Sequence, residues 1–403
     1  MSLVQRVVGQ ARAVPGRLFP GLDEWLWNRQ RDRWCRAQSR NADYVASLNQ
    51  RSVDPLGLPL RIVIVPMDGP DVPTWQAAGG NHFYEIWQSA RELFGSENVE
   101  LFSVGSHEPA SEWHGRLIAF LQEVGATHLV FQVERDPNQP DAYSWDLFLT
   151  SVTPRWHGVL LGVIYDSAFE WITIAARRLA KTNDHFVLVD ICQPMNGRLI
   201  PGREEASIVT MAISNQTVAA VDTYVQEMPK DLSVSFIGAL YPDRVEMLQA
   251  IRGAGVDVSV NPHRPDITCD FVESRVNQPT YLDYMAGLHR SRMTINLSTS
   301  SSGNGQQLKT RVLEACLVGT VVLTDDRDRA ERFWTPGRDF VHFDSVEDLA
   351  AKVAELDKNP ARQDTIGRHA RARARELNNM GFWGGIDKGL KARNLPPLVD
   401  LDH

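Results

Sequence analysis

The feature that most constrains the fold of this chain is a repeated alternation of short apolar runs with helix-like segments. The apolar runs are Leu60–Pro66, Val99–Val104, His128–Val133, Gly158–Asp166, Phe186–Asp190, Ser233–Gly238, Val256–Val260, Met293–Leu297 and a run that ends at Asp325. A parallel strand that is buried on both faces has this largely apolar character. Because such strands alternate with helices, the sequence predicts an α/β fold in which helices cover both faces of parallel sheets.

The length of the chain and a restart of the alternation at Ser233–Gly238 indicate two domains. A chain of 403 residues exceeds the usual size of one domain. We predict an N-terminal helical arm at 1–55, a first domain at 56–228, a second domain at 229–377 and a tail at 378–403. We expect the tail to return to the first domain, because Phe382 and Trp383 are large apolar side chains in a polar segment.

The composition of the chain argues against several classes of function. Its net charge of -8 disfavours binding to nucleic acid, because no basic field attracts phosphate backbones. Its four cysteines form no C-x-x-C pair, which argues against a zinc ribbon and fits a reducing cytoplasm. No apolar run approaches the ~20 residues of a membrane span, and no signal peptide is predicted.

The segment Met293–Phe343 predicts an anion site. The strand that ends at Leu297 is followed by small residues that let backbone N–H groups approach a ligand: Ser300, Ser301, Ser302, Gly303, Asn304 and Gly305. We expect a helix to begin near Gln306, so that its free N–H groups and its dipole point into the loop. This combination suits a diphosphate.

Three charged residues follow the loop on the predicted helix. We expect Lys309 to lie one turn inside the helix, within reach of the same phosphates. Arg311 offers a planar guanidinium for phosphate or carboxylate, and Glu314 offers an acceptor for paired ribose hydroxyls. From the residues alone, a solvated charged helix face after a surface turn is an equally good interpretation.

A longer pattern surrounds these residues. The chain reads QLKTRVLEACLVGTVVLTDD and then FWTPGRDFVHFDSVEDLAAKV, and this pattern resembles the C-terminal half of the group 1 glycosyl transferases. It is most similar to the subgroup typified by the spore maturation protein CgeB. The matching positions are Lys309, Arg311, Glu314, Ala315, Gly319, Phe333 and Gly337. The match covers the last third of the chain and is weak before it.

This resemblance implies the GT-B architecture, in which two Rossmann-like domains face a cleft and the donor nucleotide lies mainly on the C-terminal one. It implies a hexosyltransferase-type enzyme that takes its sugar from a nucleotide-diphosphate sugar and needs neither a metal nor a cofactor beyond that co-substrate. It also places Arg244 near the donor diphosphate, where Gly238 permits close approach. Related enzymes often carry a glutamate eight residues before Glu314. Here that residue is Gln306, which hydrogen-bonds a sugar hydroxyl without a charge.

Ligands in open α/β sheets bind outside the carboxyl ends of the strands, and this rule selects further candidates in the first domain. Gly79 and Gly80 lie in a loop that lets the backbone approach the donor phosphates. Asp166 and His82 are candidates for acid–base catalysis, and Lys309 is the candidate for neutralising the leaving diphosphate. The alternatives are an ordinary strand–helix connection for the glycines and helix N-capping for the aspartate.

Other residues at strand ends carry weaker signals. Asp190 follows a predicted strand and has the same two interpretations as Asp166, whereas His107 lies in a loop after a predicted strand and is a further catalytic candidate. Asp326 and Asp328 resemble the metal-binding D-x-D motif of single-domain glycosyltransferases. We interpret that motif as a charged strand-to-helix turn and predict no metal site.

The N-terminal arm differs in composition from the rest of the chain. It is rich in arginine and contains Trp25, Trp27 and Trp34. Such a helical stretch either lies on an anionic membrane surface or packs on its own protein. Because Trp25 and Trp27 are two residues apart and do not share one stripe, we expect packing on the protein.

These observations together predict a cytoplasmic glycosyltransferase, with peripheral contact to the inner face of the membrane through residues 1–55 left open. Its partners are a nucleotide sugar donor and an acceptor that is a glycan, a protein or a lipid-linked molecule. Two alternatives remain at this point. One is a sugar-nucleotide epimerase on the same fold, and the other is a non-catalytic scaffold that binds nucleotide.

Overall fold

The first domain is built on a five-stranded parallel sheet. The structure is a computed structural model that describes residues 22–66, 72–77, 80–105, 108–133, 142–165, 170–191, 209–262, 280–299, 306–325 and 329–398. The strands of the first sheet are β1 (Ile62–Val65), β2 (Val99–Leu101), β3 (His128–Gln132), β4 (Val159–Ile164) and β5 (Phe186–Asp190). Their order is β2-β1-β3-β4-β5.

Both faces of this sheet are covered. Ile62 and Ile64 of β1 belong to one apolar core, whereas the intervening Val63 and the following Val65 belong to another. Successive side chains of a strand point to opposite faces, so each face has its own core. A Cβ at Gly162 of β4 would lie 2.5 Å from the ring of Phe186, so this glycine makes room for the phenylalanine.

The second domain repeats the arrangement with another five-stranded parallel sheet. Its strands are β6 (Leu232–Gly238), β7 (Val258–Pro262), β8 (Ser291–Asn296), β9 (Val321–Thr324) and β10 (Val341–His342). Their order is β10-β9-β8-β6-β7. The predicted α/β class with two parallel sheets is therefore confirmed, and the apolar runs of the sequence mark β1 to β9, whereas the two-residue edge strand β10 was not predicted.

The α-helices in the described ranges connect and cover the strands. They are α1 (Leu22–Gln38), α2 (Ala42–Ser47), α3 (His82–Phe94), α4 (Ala110–Glu123), α5 (Ser144–Val152), α6 (Glu170–Ala180), α7 (Asn215–Val225), α8 (Pro242–Gly253), α9 (Tyr281–Arg290), α10 (Thr310–Leu317), α11 (Val346–Asp357) and α12 (Pro360–Ala392). None of these helices is both long enough and apolar enough to cross a bilayer.

The long helix α12 connects the two domains. Near its start, the backbone of Gly367 lies against Gly319 of the second domain. Further along, the buried Trp383 donates a hydrogen bond from Nε1 to Ser89 Oγ of α3, at 2.8 Å, and its ring meets Phe94 edge-on. The helix runs without a break across residue 378, where the sequence analysis places the start of the tail.

The described part of the N-terminal arm, from residue 22 onward, packs on the first domain. Tyr44 of α2 is buried, and its hydroxyl lies 2.9 Å from His114 Nδ1 and 2.5 Å from Ser151 Oγ. In α1, Arg31 forms an ion pair with the buried Asp146, with Nε 3.3 Å from Oδ1, and Trp34 packs against the same core.

Candidate functional site

A buried guanidinium lies over the carboxyl end of β6. Arg311 of α10 is 9% exposed, and its Nη2 occupies the space where a Cβ at Gly238 would be. Only glycine leaves this space free, and Gly238 also has a φ of 153°. The guanidinium carbon of Arg311 lies 4.9 Å from the ring centre of Phe236. Its Nε and Nη1 have no hydrogen-bond partner among the described residues.

A second buried guanidinium belongs to Arg244, in the first turn of α8. It is 4% exposed, and it donates hydrogen bonds from Nη1 to Ala239 O at 2.8 Å and from Nη2 to Thr299 O at 2.7 Å. Burial, followed by repulsion from Arg311, lowers the pKa of the Arg244 guanidinium to about 10. At neutral pH Arg244 therefore keeps its charge.

Among the described residues this cation pair has carboxylates nearby but forms no ion pair with them: Glu314 interacts electrostatically with Arg311, and Asp243 and Asp325 with Arg244. Across the ranges given above, neither Arg244 nor Arg311 forms a salt bridge with a carboxylate. Two buried like charges are costly unless an opposite charge joins them. Arginine pairs well with phosphate because its planar donors match two oxygens at once. The arrangement can therefore hold a diphosphate at the carboxyl edge of the second sheet.

Glu314 lies one helical turn after Arg311, so the two side chains share a face of α10. Its carboxylate is 7% exposed and accepts hydrogen bonds from Tyr281 Oη to Oε1, at 3.1 Å, and from Tyr284 Oη to Oε2, at 2.6 Å. Burial raises the pKa of Glu314, although the two hydroxyls and Arg311 oppose the shift. Each carboxylate oxygen has more than one lone pair, so both keep acceptor capacity for further hydroxyl groups.

Sequence reasoning missed both tyrosines. Tyr281 and Tyr284 lie three residues apart on α9, which begins with a capping box between Thr280 and Asp283. The sequence does contain a pattern that could have identified them, namely a helix-start motif followed by Tyr-x-x-Tyr. However, nothing local to α9 indicates that its aromatic face meets Glu314 on α10.

The helix after the Ser/Gly loop begins later than predicted. We expected a start near Gln306, but α10 begins at Thr310 and Lys309 is its N-cap residue. The expectation that Lys309 lies one turn inside the helix is therefore wrong. The reason is that Gln306 pairs with Thr299 in an isolated bridge and its Oε1 accepts a hydrogen bond from Ser298 Oγ, at 2.6 Å. Lys309 is half-buried at the start of the helix.

Most of the predicted Ser/Gly loop lies outside the residues that the structure describes. Ser301, Gly303 and Gly305 lie outside the described residues, as does Gly79 of the first domain. The backbone N–H of Gln307 donates to Ser298 O at 3.0 Å, so the two ends of the loop are held together. The loop therefore returns next to the strand end that it leaves.

On the first domain, Gly80 lies near the second domain, and His82 follows it two residues later. Gly80 has a φ of 82°, and a Cβ there would lie 3.4 Å from the ring of Tyr281. The Tyr281 backbone N–H also donates to Ala77 O at 2.9 Å. The structure thus places Gly80 against the tyrosine that binds Glu314.

His82 starts α3 and stacks on Tyr165, with ring centres 5.3 Å apart. The residue is exposed overall, while desolvation of its imidazole by the surrounding protein lowers its pKa to about 4. The imidazole is therefore neutral at pH 7 and able to accept a proton. Tyr165 directly follows β4, and the next residue, Asp166, lies outside the described residues.

Of the remaining candidate residues, one is described by the structure and three are not. Asp190 is buried at the end of β5. His107, Asp326 and Asp328 lie outside the described residues. In the part of the chain that the structure describes, no group of three or more His, Cys, Asp or Glu side chains is placed to hold a metal ion.

Glu85 is a buried carboxylate close to this region, and its partners give it a structural role. It accepts hydrogen bonds from the Ser214 backbone N–H and, at 2.6 Å, from Thr217 Oγ1. Both donors lie at the N-terminus of α7, where backbone N–H groups lack helical partners. Glu85 therefore holds α7 against α3 and is not a catalytic candidate.

A family of known proteins matches the part of the chain that contains the two buried arginines and Glu314. Residues 244–380 match a family described as glycosyl transferase-like. This match begins at Arg244 and includes Arg311 and Glu314. No protein of curated function matches the chain in sequence. The resemblance to the CgeB-like subgroup stays a prediction.

Solved structures share the two-domain fold. Anabaena HepE, in complex with UDP and glucose, is 12% identical with a TM-score of 0.52, over 83% of this chain and 100% of that one. An alpha-glucosyltransferase, in complex with UDP and a 13-mer DNA, is 13% identical with a TM-score of 0.56, again over 83% and 100%. The chain therefore has the GT-B architecture of these glycosyltransferases.

Proposed function

We propose that this protein is a glycosyltransferase that takes a hexose from a nucleotide-diphosphate sugar and transfers it to an acceptor without a metal ion. The observation that carries the proposal is the buried pair Arg244 and Arg311, which forms no ion pair with a carboxylate in the described ranges and lies above Gly238. Arg311 lies one helical turn from Glu314, so a nucleotide bound here would place its diphosphate near the two arginines and its ribose near the glutamate.

In this proposal the second domain stabilises the leaving group. The bond between the anomeric carbon and the β-phosphate oxygen breaks, and the diphosphate leaves with the electron pair. Arg244, Arg311 and Lys309 balance the charge that develops on it, and they lower the barrier because they are fixed in place before the reaction. Glu314 accepts hydrogen bonds from the ribose hydroxyls, and Gln306 is the candidate contact to the donor sugar.

The first domain supplies the acceptor side. The acceptor hydroxyl forms the new bond to the anomeric carbon, and its proton passes to a base. His82 is a candidate base because it stacks on Tyr165 directly after β4, at the carboxyl edge of the first sheet. Asp166, two residues after the end of β4, is the other candidate. The free thiols of Cys35 and Cys316 fit our proposal of a cytoplasmic enzyme.

A thermal-shift screen against UDP, GDP, ADP and TDP sugars tests the proposal, with UDP-glucose first because the solved structures contain UDP. Ligand at ~100 times its dissociation constant stabilises the fold by about 2.7 kcal/mol. Nucleoside diphosphate released from the stabilising donor is then measured with and without EDTA. Release that EDTA does not change supports a metal-independent transferase. Formation of a 2-epimer would favour the epimerase, binding without release would favour the scaffold, and no binding refutes the proposal.

A further inference from the structure

The two faces of α1 have different surroundings. Trp27, Trp34 and Arg31 are partly buried, and Trp34 packs against the core of the first domain. The exposed residues of α1 are Trp25, Leu26, Arg29, Gln30, Arg33, Arg36 and Ala37. At 3.6 residues per turn these fall within an arc of about 140°. The two tryptophans that the sequence places two residues apart thus point to opposite sides.

The exposed face is basic and carries an indole. Trp25 is 53% exposed and Leu26 is 36% exposed. The guanidinium of Arg29 lies over the Trp25 ring, 5.0 Å from its centre. Arg33 and Arg36 are exposed beside them. In the part of the chain described, none of these three arginines forms a salt bridge.

Two acidic groups of α1 whose side chains the structure describes, Glu24 and Asp32, pair with arginines outside this face. Asp32 pairs with Arg31, with Nη1 2.7 Å from Oδ1, and Glu24 pairs with Arg177 of α6, with 3.6 Å between Oε2 and Nη2. The local positive charge therefore persists on a protein whose net charge is -8. An exposed basic patch on an acidic chain is a site for an anionic partner.

We propose that the exposed face of α1 docks the protein on an anionic lipid bilayer. The headgroup layer offers both chemistries at once: phosphates for Arg29, Arg33 and Arg36, and an apolar boundary for Trp25 and Leu26. The inward face keeps α1 attached to the first domain through Arg31 and Asp146, so docking requires no unfolding. This inference does not depend on the transferase activity.

Co-sedimentation of the full chain with lipid vesicles tests the proposal. Vesicles of phosphatidylcholine alone are compared with vesicles that also contain phosphatidylglycerol. We expect binding to the anionic vesicles only, weakened by added salt because salt screens charges near the surface. Binding to neither vesicle overturns the proposal, and so does equal binding to both.

Two matched triple variants locate the site. Arg29→Glu with Arg33→Glu and Arg36→Glu is expected to lower the partition onto anionic vesicles on the order of 100-fold, from about 1 kcal/mol for each arginine. The control is Lys358→Glu with Arg368→Glu and Lys388→Glu, which makes the same change of charge at exposed positions of α12 and of the residue that follows α11. Equal loss in the two variants means that net charge alone acts, and overturns the proposal.

Further measurements separate the bilayer from other occupants. Trp25→Ala is expected to weaken vesicle binding several-fold, including at high salt, because the indole contributes apolar area that salt does not screen. Molar mass in solution is measured for the wild type and for the α1 triple variant. A dimer that the triple variant abolishes, or binding to heparin without binding to vesicles, identifies a different partner and overturns the proposal.

Discussion

At the residue scale, the site is defined by charges that the fold alone does not need. Arg311 and Arg244 are both buried, and burial of a cation without an anion opposes folding. Such a pair is expected where a ligand supplies the opposite charge. The free energy of burying the two cations is spent on folding, so the donors are already in position when the ligand binds.

Arg311→Gln is expected to weaken binding of a nucleoside diphosphate by about 1.5–3 kcal/mol, the usual range for a hydrogen bond to a charged group. The unfolding free energy of the ligand-free protein is expected to change little, because relief from burying the charge is offset by loss of its attraction to Glu314 and its contact with Phe236. Calorimetry with UDP and urea unfolding measure the two effects. Arg368→Gln, at an exposed position of the same domain, is the control. A parallel loss of stability would mean that Arg311 serves the fold instead.

Glu314→Gln is expected to change the pH dependence of stability. Burial raises the folded-state pKa of Glu314 above its ordinary value of about 4.3. In the window between these two values the folded state binds more protons than the unfolded state. The wild type therefore loses stability as the pH rises through this window, whereas the glutamine variant lacks this contribution. Urea unfolding at stepped pH is expected to show a gap between the two proteins that widens upward from about pH 4.3 and then levels off. A gap that is constant with pH contradicts the assignment.

At the element scale, the sequence pattern predicted the features that depend on residues close together in the chain, namely the strands and the shared faces of helices. The apolar runs mark the strands, and the three-residue spacing of Arg311 and Glu314 places both on one face of α10. The start of α10 was predicted too early because Gln306 satisfies its polar groups with Thr299 and Ser298, which are close in space and not in a helix. The Tyr281 and Tyr284 contacts to Glu314 also join separate elements, and no local pattern encodes them.

The second half of α12 is expected to hold the domains together through Trp383. Trp383→Ala removes a fully buried indole and leaves Ser89 without its donor, so a loss of about 3–5 kcal/mol in unfolding free energy is expected. Met380→Ala, at a 42% exposed position of the same helix, is expected to change stability by less than about 0.5 kcal/mol. Urea unfolding compares the variants. Similar small effects for both would show that this part of α12 does not stabilise the first domain.

At the scale of the whole molecule, the two domains share an apolar core. One cluster of buried residues includes Ile62 and Phe83 of the first domain together with Tyr281 and Val312 of the second. The sequence predicted two domains from the restart of the alternation, but it gave no sign of this shared core. The reason is that residues far apart in the chain form it, as in the contact of the Tyr281 backbone with Ala77.

The shared core leads to a last prediction: the two domains unfold in one cooperative transition. Separate domains would unfold independently, but here exposure of one domain uncovers apolar surface of the other. Urea unfolding followed by tryptophan fluorescence and by circular dichroism is expected to give coincident curves.

UDP at ~100 times its dissociation constant is expected to add about 2.7 kcal/mol to the whole transition. Hydrogen exchange is then expected to slow in β3 of the first domain as well as in β8 of the second. Two separate transitions, or UDP protection confined to the second domain, would mean that the shared core does not couple the domains.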